Sequence, residues 1–197
     1  MKQFSFAKRS KWVDFLLGVF ILLLLIPQTG QPIRVGINRL KTMVWSPSIE
    51  RAEKQVHIPA FDYALRNLDQ EPVTQRIGDG QVTFLSNWAT WCPPCVAELP
   101  SIEALYQDYK DRIDFVLVTH ENPEVVQGFL DKKDLDLPVY FSASQLPEAL
   151  KSNKLPTNYL IDAEGNILIK ETGAANWNST KVRGLMDEVL EKKNTSH

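Results

Sequence analysis

The chain has 197 residues, 44% hydrophobic and 23% charged, which suits one globular domain with a sizeable core plus an extension and excludes a disordered chain. Its net charge of -2 leaves no basic footprint for nucleic acid. The two cysteines, Cys92 and Cys95, sit too close together to staple a small fold, because a bridge between them closes only a tiny loop.

The first element is the apolar run from Phe15 to Ile26, extended upstream past Asp14 by Trp12 and Val13. Lys2, Lys8, Arg9 and Lys11 precede it, as in a targeting segment or anchor. Two readings compete. A helix of this length spans roughly 18 Å, short of a bilayer core of about 30 Å, which suits a cleaved signal peptide. Against cleavage, Pro27-Gln28-Thr29-Gly30 offers no Ala-x-Ala site, while Trp12 and Lys11 suit an interface. The preferred reading is an uncleaved transmembrane anchor or signal-anchor over 12–28, after a basic cytoplasmic stretch over 1–11. The excess of upstream positive charge places the rest of the chain outside the cytoplasm, as a single-pass protein of the inner membrane. Residues 29–56, punctuated by Gly30, Pro32 and Pro47, read as a juxtamembrane linker with a short helix near Ile37 to Val44.

The globular domain is expected over 57–193, followed by a disordered tail over 194–197. Phe61 to Leu65 reads as a strand with Val73-Thr74 as its partner, and Gly78-Asp79-Gly80 as a turn. Gln81 to Trp88 reads as a central strand, and Pro93 and Pro94 open a helix whose apolar face is Val96, Leu99, Ile102, Leu105 and Tyr106. A strand from Ile113 to Thr119, a helix from Pro123 to Lys133, a strand from Leu137 to Phe141 and a helical turn from Pro147 to Lys151 follow. Asn158 to Asp162 and Ile167 to Glu171 form a hairpin, and Asn178 to Lys193 a closing amphipathic helix. This order gives an α/β fold with a mixed sheet flanked by helices.

Cys92 and Cys95 carry the chemistry. A structural zinc site needs four ligands, and no second Cys-x-x-Cys or paired histidines accompany these two. At a helix start, Cys92 is the expected nucleophile, because the positive end of the helix favours its thiolate. Cys95, one turn on, is placed to resolve a mixed disulfide. Pro93 and Pro94 lack N–H groups, so the nearest backbone donor for the Cys92 sulfur is Cys95.

Two stretches carry a family resemblance. Asn87-Trp-Ala-Thr-Trp-Cys-Pro-Pro-Cys-Val-Ala-Glu-Leu-Pro100 and Leu155-Pro-Thr-Asn-Tyr-Leu-Ile-Asp-Ala-Glu-Gly-Asn166 resemble the active site and proline loop of the TlpA/ResA-like, membrane-anchored thioredoxin family. The likeness covers about residues 58 to 193 and implies a thioredoxin-like fold with Cys92 attacking and Cys95 resolving. It implies a cis peptide bond before Pro156, leaving Leu155 open to an extended substrate, with Trp91, Pro93 and Thr157 also meeting it. Glu98 matches a glutamate that moves protons to or from Cys95; the alternative is a solvated helix residue. Ser86 stands where thioredoxin keeps a buried aspartate. Trp88 reads as core, His120 as a loop residue beyond a strand, and the Asn178 sequon as incidental.

The resemblance further implies a reductant of client disulfides on the periplasmic side, as in cytochrome c maturation, with clients such as apocytochromes c. A membrane thiol-reductant donor would re-reduce the pair, and no bound cofactor or metal is needed. Rival readings are a disulfide oxidase, a copper metallochaperone using Cys92 and Cys95, and a peroxidase.

Overall fold

The computed structural model describes residues 11–25, 35–36 and 45–195. The helix anticipated near Ile37 to Val44 lies outside them. Helix α1 is Lys11–Leu25. The domain follows as β1 (Phe61–Arg66), β2 (Pro72–Ile77), β3 (Thr83–Asn87), α2 (Pro93–Tyr109), β4 (Asp114–Thr119), α3 (Pro123–Lys133), β5 (Val139–Ser142), β6 (Thr157–Ile161), β7 (Ile167–Thr172) and α4 (Thr180–Thr195). The seven strands form one sheet ordered β2-β1-β5-β4-β3-β6-β7. β3, β4 and β5 are parallel, and the other pairings are antiparallel. This is the mixed sheet expected.

Side-chain alternation sorts the core onto two faces. Phe84, Leu117, Leu160 and Ile169 point to one face, where Leu99, Ile102, Val126, Val182 and Met186 of the three domain helices meet them. Leu85, Val116, Tyr159 and Ile161 point to the other, which is closed by Ile58 and by Leu150 of a short 3-10 turn at Glu148–Leu150. The β3–α2–β4 and β4–α3–β5 crossovers step the same way along the sheet, so both helices share a face.

Several expected boundaries move. β3 is shorter than Gln81 to Trp88, because the chain turns at Ala89–Cys92, where Cys92 N–H donates to Ala89 O at 3.2 Å. α4 runs to Thr195, past the tail boundary set at 194, with Lys192 and Lys193 in its last turn where the helix dipole favours cations. The linker is corrected more substantially. From residue 45 it is docked rather than free: Ile49 and His57 bridge to Ile169 and Asn166, and Glu50 N–H donates to Leu168 O at 2.8 Å. The segment covers the open edge of β7, whose backbone groups would otherwise lack partners. Gly165 permits this closure. It has φ +87, and a Cβ there would lie 2.4 Å from Ile58 O.

Among the described residues, no helix is long and apolar enough to cross a membrane. α1 has 15 residues, and Trp12, Phe15 and Leu16 on it are exposed.

Candidate active site

The site forms where the parallel strands end and the turn after β3 delivers the chain into α2. Cys92 is the N-cap of α2, with extended backbone, and its Sγ accepts from Cys95 N–H at 3.3 Å. Pro93 and Pro94 fill the first two helical positions, where a missing N–H costs nothing. Among the described residues no other hydrogen bond reaches that sulfur. Cys92 and Cys95 are joined as a disulfide, with Cα atoms 5.3 Å apart, and both are buried.

The turn is held from outside. Thr90 donates its N–H and its hydroxyl to the two carboxylate oxygens of Glu121, each at 2.6 Å, and Thr119 adds a third hydrogen bond at 3.3 Å. Glu121 lies in the β4–α3 loop, where Asn122 caps α3. It thus ties the redox turn to the start of α3. Trp91, at the tip of the turn, is 61% exposed, and Pro93 is half-buried.

The Leu155–Pro156 peptide bond is cis. Pro156 is buried and Leu155 half-buried. Thr157 is corrected from its expected place against a substrate. It is fully buried in β6, and its hydroxyl donates to Lys154 O at 2.8 Å and lies 2.9 Å from Ser152 Oγ. It braces the proline loop from behind.

Glu98 sits one turn beyond Cys95 and is 1% exposed, so the solvated alternative does not hold. Asn158 Nδ2 donates to Oε1 at 2.8 Å, while Ala175 N–H and Trp177 Nε1 each donate to Oε2 at 3.2 Å. Burial pushes the carboxyl up to about 8; the three donors pull against it, and the charge of Glu171 adds slightly to the rise. Ser86 faces the same region from β3, opposite Asn158, and its buried hydroxyl has no hydrogen-bond partner among the described residues. Trp88 is buried in the core and His120 is exposed.

Sequence reasoning missed Asn158, Trp177 and Glu121. Their partners lie 60, 79 and 31 positions away, so no local spacing announces them. Among the described residues, no three of His, Cys, Asp and Glu are grouped to hold a metal ion.

The Redoxin family model matches residues 53–188. The thiol-disulfide oxidoreductase ResA of Halalkalibacterium halodurans is 34% identical over 129 residues, covering 64% of this chain and 71% of the relative. The sporulation thiol-disulfide oxidoreductase A of Bacillus subtilis is 29% identical over 146 residues, covering 71% and 87%. The crystal structure of a putative thiol:disulfide interchange protein DsbE from Chlorobium tepidum superposes with a TM-score of 0.57 at 25% identity, covering 73% of this chain and 99% of that one.

Proposed function

The chain belongs to the Redoxin family as a ResA-like thiol–disulfide oxidoreductase, and from that premise we propose that it reduces client disulfides outside the cytoplasm. The observation that carries the reading is the Cys92–Cys95 pair at the start of α2, with a single hydrogen bond on the Cys92 sulfur among the described residues. In the reduced protein, the Cys92 thiolate attacks one sulfur of the client disulfide. The other client sulfur leaves as a thiolate and takes a proton. Cys95, losing its proton to Glu98, then attacks Cys92 Sγ, releasing the second client thiol and closing the disulfide. Two electrons pass from the pair to the client.

Glu98 fits that task because it lies one turn from Cys95 in a buried site, and burial that raises its carboxyl to about 8 makes the ionised form a base strong enough to take a thiol proton. Leu155 and Trp91 would flank the client chain, with Pro93 and the proline loop at Pro156 beside them. The poor support of Cys92 favours this direction. A thiolate with one backbone donor and little solvent is weakly stabilised, and weak stabilisation of the reduced form lowers the reduction potential. A membrane donor would return the electrons, and no bound cofactor is required. Clients of the apocytochrome c kind fit the resemblance in the sequence.

The direction is tested by equilibrating the full chain in thiol–disulfide buffers. A potential near or below about -270 mV marks a reductant, and one approaching about -120 mV marks an oxidase and reverses the proposal. Pro93→Gly restores an N–H beside the Cys92 sulfur, so the potential should rise by about 30 mV. A lower or unchanged value would show that hydrogen-bond support does not set the direction.

α1 is proposed as the tether to the inner membrane, with the domain on the periplasmic side. Its exposed apolar side chains and the four basic residues before and at its start support this. Alkaline extraction of membranes should leave the protein in the pellet. Release into the supernatant would count against an integral anchor.

A further inference from the structure

Beside Cys92 lies a groove of about 770 Å³ with two walls from the domain, bordered also by Val35 and Gly36. One is the redox turn with the first turn of α2: Trp91, Pro93 and Val96. The other is the outer face of α3: Val125, Phe129 and Lys132. Trp91 and Val125 are 61% and 55% exposed, and they face a common space. Large apolar side chains left open beside a reactive sulfur suit a transient partner better than solvent.

The two walls are tied together. The hydrogen bonds from Thr90 to Glu121 fasten the turn to the loop that starts α3. A groove built this way is organised before anything binds, which lowers the ordering cost of binding. At its far end stand Lys132 and Lys133, and among the described residues neither has an ion-pair partner. In the last turn of α3 both also meet the helix dipole, which accounts for lysines there but not for their place in the lining of an apolar groove.

Resting on the reductase reading above, we propose that this groove binds the client segment next to its disulfide. It selects a segment with an apolar side chain beside the cysteine, lodged between Trp91 and Val125, and an acidic residue that meets Lys132 and Lys133. Trp91 and Pro93, the residues on either side of Cys92, line the groove, and this continuity with the redox site assigns it to a client. Val35 and Gly36, upstream of the domain, border the same groove and make the chain's own segment the competing occupant.

The test uses the reduced full chain in detergent micelles. Three peptides, Leu-Cys-Asp, Leu-Cys-Lys and Ser-Cys-Ser, are each presented as mixed disulfides with thionitrobenzoate. Release of the coloured thiol gives a half-saturating concentration and a limiting rate. Ellman's reagent alone, which spans no groove, is the control. The Leu-Cys-Asp peptide should saturate lowest. Val125→Ser should raise its half-saturating concentration about fivefold, leaving the limiting rate and the control rate unchanged. Lys132→Glu with Lys133→Glu should reverse the order of the Asp and Lys peptides. Equal saturation by all three peptides, or indifference to both variants, overturns the proposal. So does tighter saturation in Val35→Asp alone, which would give the groove to the chain's own segment. Loss of the control reaction in the unaltered protein would instead strike the reductase reading itself.

Discussion

A Cys95→Ser variant mixed with a disulfide-bearing client should stop after one bond exchange and accumulate as a covalent adduct through Cys92. Cys92→Ser should form no adduct, and both should lose at least about a thousandfold in turnover. The assignment rests on position. Cys92 is the N-cap of α2, with extended rather than helical backbone, and stands next to the exposed Trp91. Cys95 lies inside the first turn with no measurable exposure, so a client sulfur cannot reach it in line while Cys92 stands in front. Once the mixed disulfide exists, Cys95 needs no diffusion: its sulfur is held at bonding reach of Cys92 Sγ, as the closed disulfide demonstrates. Mass spectrometry of the trapped adduct, after digestion, locates the bond. An adduct from Cys92→Ser through Cys95 would exchange the two roles.

The parts of this site legible in the sequence are those whose signals are local. Proline at the first helical positions announces where α2 begins, and with it the place of Cys92. The run of apolar residues in β3 and the hairpin turn at Ala163 to Asn166 announce the sheet. Glu98 was placed by resemblance, but its state was not legible, because burial comes from elements far along the chain. Asn158 arrives from β6, and Ala175 with Trp177 from the loop after β7. Thr157 shows the converse: a residue beside the proline loop looks available to a substrate until strand pairing turns its side chain inward. The docking of residues 45–57 was hidden for a related reason. An irregular segment broken by Pro47 carries no periodicity, yet the open edge of β7 gives its backbone somewhere to bond.

Replacing Glu98 with Gln should slow the resolving step by about a hundredfold above pH 8 and remove a rise in rate centred near that pH. The cause is desolvation: the folded protein holds the carboxyl proton up to about 8, against 4.5 as the ordinary value. Below 4.5 both folded and unfolded chains are protonated here, and the folded state bears no penalty. Between that point and about 8 the unfolded chain releases its proton and the folded one keeps it. Stability therefore falls as pH rises through this window, by an amount on the order of a few kcal/mol, and levels off above it. The Glu98→Gln variant has no proton to lose there, so its unfolding free energy should lack this decline, and at pH 9 it should exceed the unaltered protein. The amide substitution fits the pocket. Rotating the Asn158 amide turns its Oδ1, which has no partner among the described residues, toward the incoming N–H, while Ala175 and Trp177 still donate to the oxygen. The same rotation would let Asn158 accept the proton of a neutral Glu98, so one side chain serves both charge states. Denaturant unfolding at pH 5, 7 and 9, run beside single-turnover rates, separates the two effects. A variant that keeps the rise in rate while losing only the stability decline would make Glu98 a buried structural group and pass the proton of Cys95 to solvent.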